Sequence, residues 1–82
     1  MSDLTLKVLT REDMLFQGKV QVVSSTNDKG KFDVLGRHAN FITLIKDKLT
    51  IRDVQGEVKE INLKNGVMRV FGGNVDVYLG LK

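Results

Sequence analysis

Apolar residues in this chain recur at every second position over short runs, and glycine and asparagine cut the runs apart. A period of two is the signature of a half-buried β-strand, because successive side chains leave the backbone on opposite faces. Leu4, Leu6 and Val8 share one face, with Thr5 and Lys7 on the other. Val20 and Val22, then Leu49 and Ile51, then Ile61 and Leu63 form matching inward sets. Near the end Val75, Val77 and Leu79 alternate with Asp76 and Tyr78.

Between these runs lie the punctuators. Thr10-Arg11-Glu12-Asp13 reads as a polar turn, and Gly18 as a bend or bulge inside Met14-Leu15-Phe16-Gln17-Gly18. Ser24 to Gly30, the longest polar segment, reads as an exposed connection, because its Asn, Asp and Gly tolerate positive φ. Val54-Gln55-Gly56-Glu57-Val58 reads as a hairpin, Lys64-Asn65-Gly66 as a second strong turn and Gly72-Gly73-Asn74 as a third. The run Phe41 to Ile45 is too short for its period to separate a strand from one helical turn.

No stretch of ten or more residues carries a helical period. The fold predicted is all-β: one antiparallel sandwich or flattened barrel of about eight to ten short strands covering residues 1–82. With no proline in the chain, charged residues and bulges must protect the sheet edges.

Composition narrows the function. Leu, Ile, Val and Phe supply 29 of 82 residues, enough for a core in a domain near the lower size limit for independent folding. There is no cysteine for disulfides or thiolate metal sites. No apolar run approaches the roughly eighteen residues that span a bilayer. The formal charge of +3 is dispersed, with acidic residues among the basic ones, a pattern of solubility and not of a phosphate-tracking stripe.

His38 is the only histidine, so zinc would lack a second imidazole or a thiolate. Ser24, Ser25 and Asp33 lie near it in sequence, but no nucleophile turn accompanies them. Gly30 and Gly36 have neither phosphate-loop nor dinucleotide-turn spacing. The adjacent carboxylates Glu12 and Asp13 read as solvated turn residues. Tyr78 alone does not make a stacking platform for single-stranded nucleic acid, and Phe32 and Phe41 belong in the core. No catalytic residue, metal site or cofactor is expected. What remains is a polar cluster, Gly36 to Asn40, held between two apolar runs as a contact surface.

The central run Gly30-Lys31-Phe32-Asp33-Val34-Leu35-Gly36-Arg37-His38-Ala39-Asn40-Phe41-Ile42-Thr43-Leu44 resembles the most characteristic stretch of the epsilon subunit of rotary ATP synthases, in its amino-terminal domain. In that family glycine and apolar residues lead into Pro-Gly-His-Ala-Pro and a Leu-rich segment. The opening strand Leu4 to Val8, the acidic turn Glu12-Asp13 and the element Leu15-Phe16-Gln17-Gly18-Lys19-Val20 fit the same family. So do Asn65-Gly66-Val67-Met68-Arg69-Val70 and Asn74-Val75-Asp76-Val77. Gly36 and Asn40 stand where the family has its two prolines, Arg37 replaces its second glycine, and Lys31 takes a usually acidic position. Losing those prolines frees the loop in the unfolded chain. The family's carboxy-terminal helical hairpin has no counterpart in these 82 residues, as in a shortened piece or a natural short form.

The resemblance implies a non-catalytic central-stalk subunit of a proton- or sodium-driven rotary ATP synthase. It implies contact with the gamma shaft and the membrane rotor ring, with the catalytic head reached through gamma. The location implied is peripheral, at the cytoplasmic face of a bacterial inner membrane. Gly30, Lys31, Gly36, Arg37, His38 and Asn40 are the residues expected on the ring side, and Phe16 and Met68 on the gamma side. The alternatives are a diverged β-sandwich interaction adaptor and a basic β-barrel that binds nucleic acid.

Overall fold

A computed structural model describes residues 3–36 and 40–80. Six strands run in the order β1 Leu4–Leu9, β2 Met14–Asn27, β3 Gly30–Val34, β4 Phe41–Asp53, β5 Val58–Phe71 and β6 Asn74–Leu79. Their spatial order is β1-β6-β5-β4-β2-β3, and a further β1–β2 pairing closes the sheet into a flattened barrel measuring 36 × 26 × 19 Å. All pairs are antiparallel except β1–β6.

The all-β sandwich expected from the alternation is therefore present. The strands are fewer and longer than the short runs suggested, because β2, β4 and β5 extend over 13 or 14 residues each. Each of the three serves two layers. The first half of β2 pairs with β1, and its second half with β3 and β4. Phe41 to Ile45 of β4 pair with the Gly66–Val70 end of β5, and Asp47 to Arg52 pair with the Val58–Leu63 end. Register irregularities between Val20 and Val22, and between Ile45 and Asp47, mark the crossings. Asp47 takes φ 73° there, the one described non-glycine residue in the left-handed region.

Three readings of the sequence change. Val22 was expected inward beside Val20; the irregularity turns it, and Val23 is buried instead. Ser24 to Asn27 continue β2 and only Asp28 and Lys29 turn, with the Asn27 Oδ1 accepting the Lys29 amide at 2.9 Å. Ser25 is tolerated inside because its hydroxyl donates to the Lys48 carbonyl at 2.8 Å. Lys64-Asn65-Gly66 is no turn, since β5 runs straight through it. Gly66 is there for closeness: a Cβ would lie 2.8 Å from the Tyr78 carbonyl oxygen and 2.9 Å from Leu79 Cδ2.

The core is the set the alternation picked out. Leu4, Leu6, Val8, Leu49, Ile51, Val75, Val77 and Leu79 are buried, together with Val20, Val23, Val34, Ile45, Met68 and Val70. Phe16, Phe32, Phe41, Ile61 and Leu63 pack around them half-buried, Phe32 and Phe41 edge to face at 6.2 Å. Connections are fixed by local acceptors. Asp53 Oδ1 accepts the Gln55 and Glu57 amides at 2.8 and 3.0 Å, and Thr10 Oγ1 accepts that of Asp13 at 3.0 Å.

Candidate partner-docking surface

The two layers bury one face each and leave one face outside. On the first layer, register carries Leu44 of β4 to Val67 of β5, Tyr78 of β6, Leu9 of β1 and Met14 of β2. Directly paired residues point to the same side, so these five side chains form one apolar row across five strands, about 19 Å long at about 4.8 Å per strand. Leu44 is 69% exposed and Met14 49%. Ile42, at 68%, and the exposed Phe71 widen the row. Beside it Ile42, Arg69, Asp76, Lys7 and Gln17 make a mixed row, in which the Arg69 guanidinium lies 3.4 Å from the Asp76 carboxylate and 5.6 Å from the Phe71 ring.

Such a row has a physical cost in a small domain, since large apolar groups face water while the core is barely sufficient. Sequence reasoning placed shaft contacts at Phe16 and Met68. Met68 is fully buried under the row, in line with Thr43, Val77 and Val8, a core position in this domain. Phe16 points inward too, half-buried, with Lys59 Nζ 5.4 Å from its ring centroid. The available signal was Phe41 to Ile45: in a strand exposed on one side, apolar residues at four of five consecutive positions put Ile42 and Leu44 outside.

The other expected set divides in two. Gly30, with φ 118°, and the exposed Lys31 open β3 at its hairpin with β2. Gly36, with φ 79°, and Asn40 lie beyond the opposite end of β3. Five residues of strand, about 16 Å, separate the two ends. Asn40 Oδ1 accepts the Gly72 amide at 2.9 Å and so ties the segment before β4 to the β5–β6 turn. Arg37 and His38 lie outside the described residues.

Among the described residues no group of three or more His, Cys, Asp or Glu is placed to hold a metal ion, and no helix is long and apolar enough to cross a membrane. A shallow groove of about 390 Å³ on the second layer is lined by polar groups including Ser24, Asp33, Lys48 and Glu60. Two of its carboxylates are engaged: Asp33 accepts the Ser24 hydroxyl at 2.5 Å, and Glu60 lies 3.5 Å from Lys48.

Comparison with known proteins agrees with this architecture. Among sequence relatives, the chain is 39% identical over 46 residues to an ATP synthase epsilon chain of Nitratiruptor sp., covering 56% of this chain and 36% of the relative. Among structures, it superposes with TM-score 0.88 and 17% identity on a chain of the Euglena gracilis mitochondrial ATP synthase, covering 96% of this chain and 51% of that one. A chain in the central stalk and c-ring structure of the Tetrahymena thermophila mitochondrial ATP synthase matches with TM-score 0.76 and 8% identity, over 93% of this chain and 62% of that one. The chain thus spans about half the length of proteins it resembles. The model of the ATP synthase delta/epsilon chain beta-sandwich domain matches residues 3–79, nearly the whole sequence, and the chain belongs to that family.

Proposed function

We propose that this chain is a non-catalytic coupling element of the central stalk of a rotary ATP synthase, seated on the gamma shaft through the apolar row of its first layer. The single observation that carries the proposal is that row, Leu44–Val67–Tyr78–Leu9–Met14, on a domain of this family. A subunit that transmits torque without chemistry works through buried area and shape, with polar groups at the rim fixing orientation. Leu44, Ile42 and Tyr78 supply the area, and the Arg69–Asp76 pair borders it.

The rotor ring is the second partner. Gly30 and Lys31 at one end of β3, Gly36 and Asn40 beyond the other, and Arg37 and His38, which lie outside the described residues, are its contacts in this reading. Because β3 lies at the edge of the sheet order, a flat partner reaches both groups by lying along that strand. The catalytic head is reached only through gamma, and the domain sits as a peripheral subunit at the cytoplasmic face of the membrane.

Titration of the cognate gamma subunit tests the first contact. Saturable one-to-one binding that Leu44→Asp weakens supports it; unchanged binding by that variant removes the row from the interface. For the ring, Lys31→Glu combined with Arg37→Glu weakens assembly more at low salt than at high salt if these charges face it. An effect independent of salt places them elsewhere.

A further inference from the structure

β6 covers one edge of β5 only in part. Its ladder runs from Phe71↔Asn74 to Gly66↔Leu79 and stops, while β4 covers the opposite edge of β5 along both halves. Among the described residues no strand pairs with Val58 to Leu63 on the β6 side. Every second one of those six residues therefore presents unpaired N–H and C=O groups, along an edge about 20 Å long. Under this edge a slot of about 550 Å³ opens between β5 and the start of β2, lined by Leu15, Phe16, Ile51, Lys59, Glu60 and Ile61.

The side chains along the edge define what fits. Lys59 is paired with buried Ile51, and Ile61 with buried Leu49, so both belong to the inward side of β5. Leu63, half-buried against the core, continues that side. Lys59 thus brings a cation to the rim of an apolar slot, with its ammonium 5.4 Å from the Phe16 ring centroid. An inward charge on an edge strand rejects most strands, and it accepts one that offers a carboxylate at the matching position.

We propose that the Val58–Leu63 edge with its slot is a docking site for an extended segment of a partner polypeptide, added antiparallel to β5 in line with β6. Continuity of the existing β6–β5 ladder sets the direction, and charge complementarity sets the sequence. Read from its amino end, the incoming strand meets Leu63, Ile61 and then Lys59 on the inward side. It carries an apolar residue, any residue, an apolar residue, any residue, then Asp or Glu. Backbone hydrogen bonds supply affinity, and the alternate side chains supply selectivity. This site is distinct from the apolar row and does not depend on the rotary reading.

The probes are two synthetic peptides, acetyl-Thr-Val-Thr-Val-Thr-Glu-Thr-amide and the same peptide with Lys for Glu, titrated into the 82-residue protein and followed by amide hydrogen exchange. The glutamate peptide is expected to protect alternate amides within Val58–Leu63 and to bind about fivefold more tightly than the lysine peptide. In Lys59→Glu the preference reverses. The proposal is overturned if neither peptide binds at about 1 mM, a standard free energy of about −4 kcal/mol. Equal binding of the two peptides to the unaltered protein also overturns it, as does protection confined to Ile42, Leu44 and Tyr78, and neither readout requires the variant to fold. Failure here with intact gamma binding leaves the central-stalk reading standing, and loss of gamma binding with intact peptide binding does the reverse.

Discussion

The same three long strands, β2, β4 and β5, contribute to both outer faces of the sandwich, yet the faces differ in chemistry. On the first, Leu44, Val67, Tyr78, Leu9 and Met14 align across five strands with the Tyr78 hydroxyl as the one polar side-chain group in the row. On the second, Asp33, Ser24, Thr50 and Glu60 align across four strands with no apolar group in the row, and Lys48 and the Ser24 hydroxyl partner the carboxylates. The second face satisfies this row in water, with Leu35 and Val58 exposed beside it as separate apolar groups. The first exposes a continuous run of large side chains across five strands, and in the central-stalk reading that is the face a partner covers.

The largest effect that separates the faces is on binding. Leu44→Asp with Tyr78→Asp places one carboxylate at the end of the apolar row and one at its centre, and gamma affinity falls by about 3 kcal/mol, over a hundredfold. Since both side chains are solvent-exposed, each substitution changes stability by only about 0.5 kcal/mol. Thr50→Asp on the opposite face leaves gamma binding unchanged in the same titration. If Thr50→Asp impairs binding as much as the double variant, the faces have been assigned the wrong way round.

The next effect concerns the strand that joins them. Gly66→Val puts a side chain where a Cβ alone comes within 2.8 Å of the Tyr78 carbonyl, and backbone cannot move aside as a side chain can. Overpacking of this kind costs about 1–3 kcal/mol. In a domain of this size each kcal/mol lowers Tm by about 4–8 °C, which thermal unfolding reads directly. An unchanged Tm means that β6 has room to shift, and that the apolar row passing through Val67 and Tyr78 is not rigidly built.

How much of this the sequence carried depended on whether the signal was local. Alternation alone identified Leu4, Leu6, Val8, Leu49, Ile51, Val75, Val77 and Leu79 as core, since one strand's period suffices for that. Gly66 misled because glycine marks both positive φ and close approach, and only the position of Tyr78, twelve residues later, distinguishes them. Ser24 to Asn27 misled because the partner that satisfies Ser25 is the Lys48 carbonyl on another strand. The apolar row was legible only at its Leu44 end, through the run Phe41 to Ile45: its five members come from five strands, and each of the others alone is an ordinary surface residue. Its alignment exists only once the register is fixed.

The smallest effect sharpens the contrast from the polar side. Lys48 and Glu60 are 3.5 Å apart, with side chains 49% and 56% exposed, so water screens their attraction and both are free to move. Removing the ammonium with Lys48→Ala costs about 0–1 kcal/mol. The Lys48 carbonyl that satisfies Ser25 belongs to the backbone and survives the substitution. Urea unfolding at low salt and again at about 1 M salt, where the screening length is about 3 Å, separates the ionic part from the loss of the aliphatic stem. The difference between Lys48→Ala and the unaltered protein is expected to shrink at high salt. A penalty above about 2 kcal/mol that persists in salt means instead that Lys48 packs as part of a covered surface, and the polar face then has an occupant of its own.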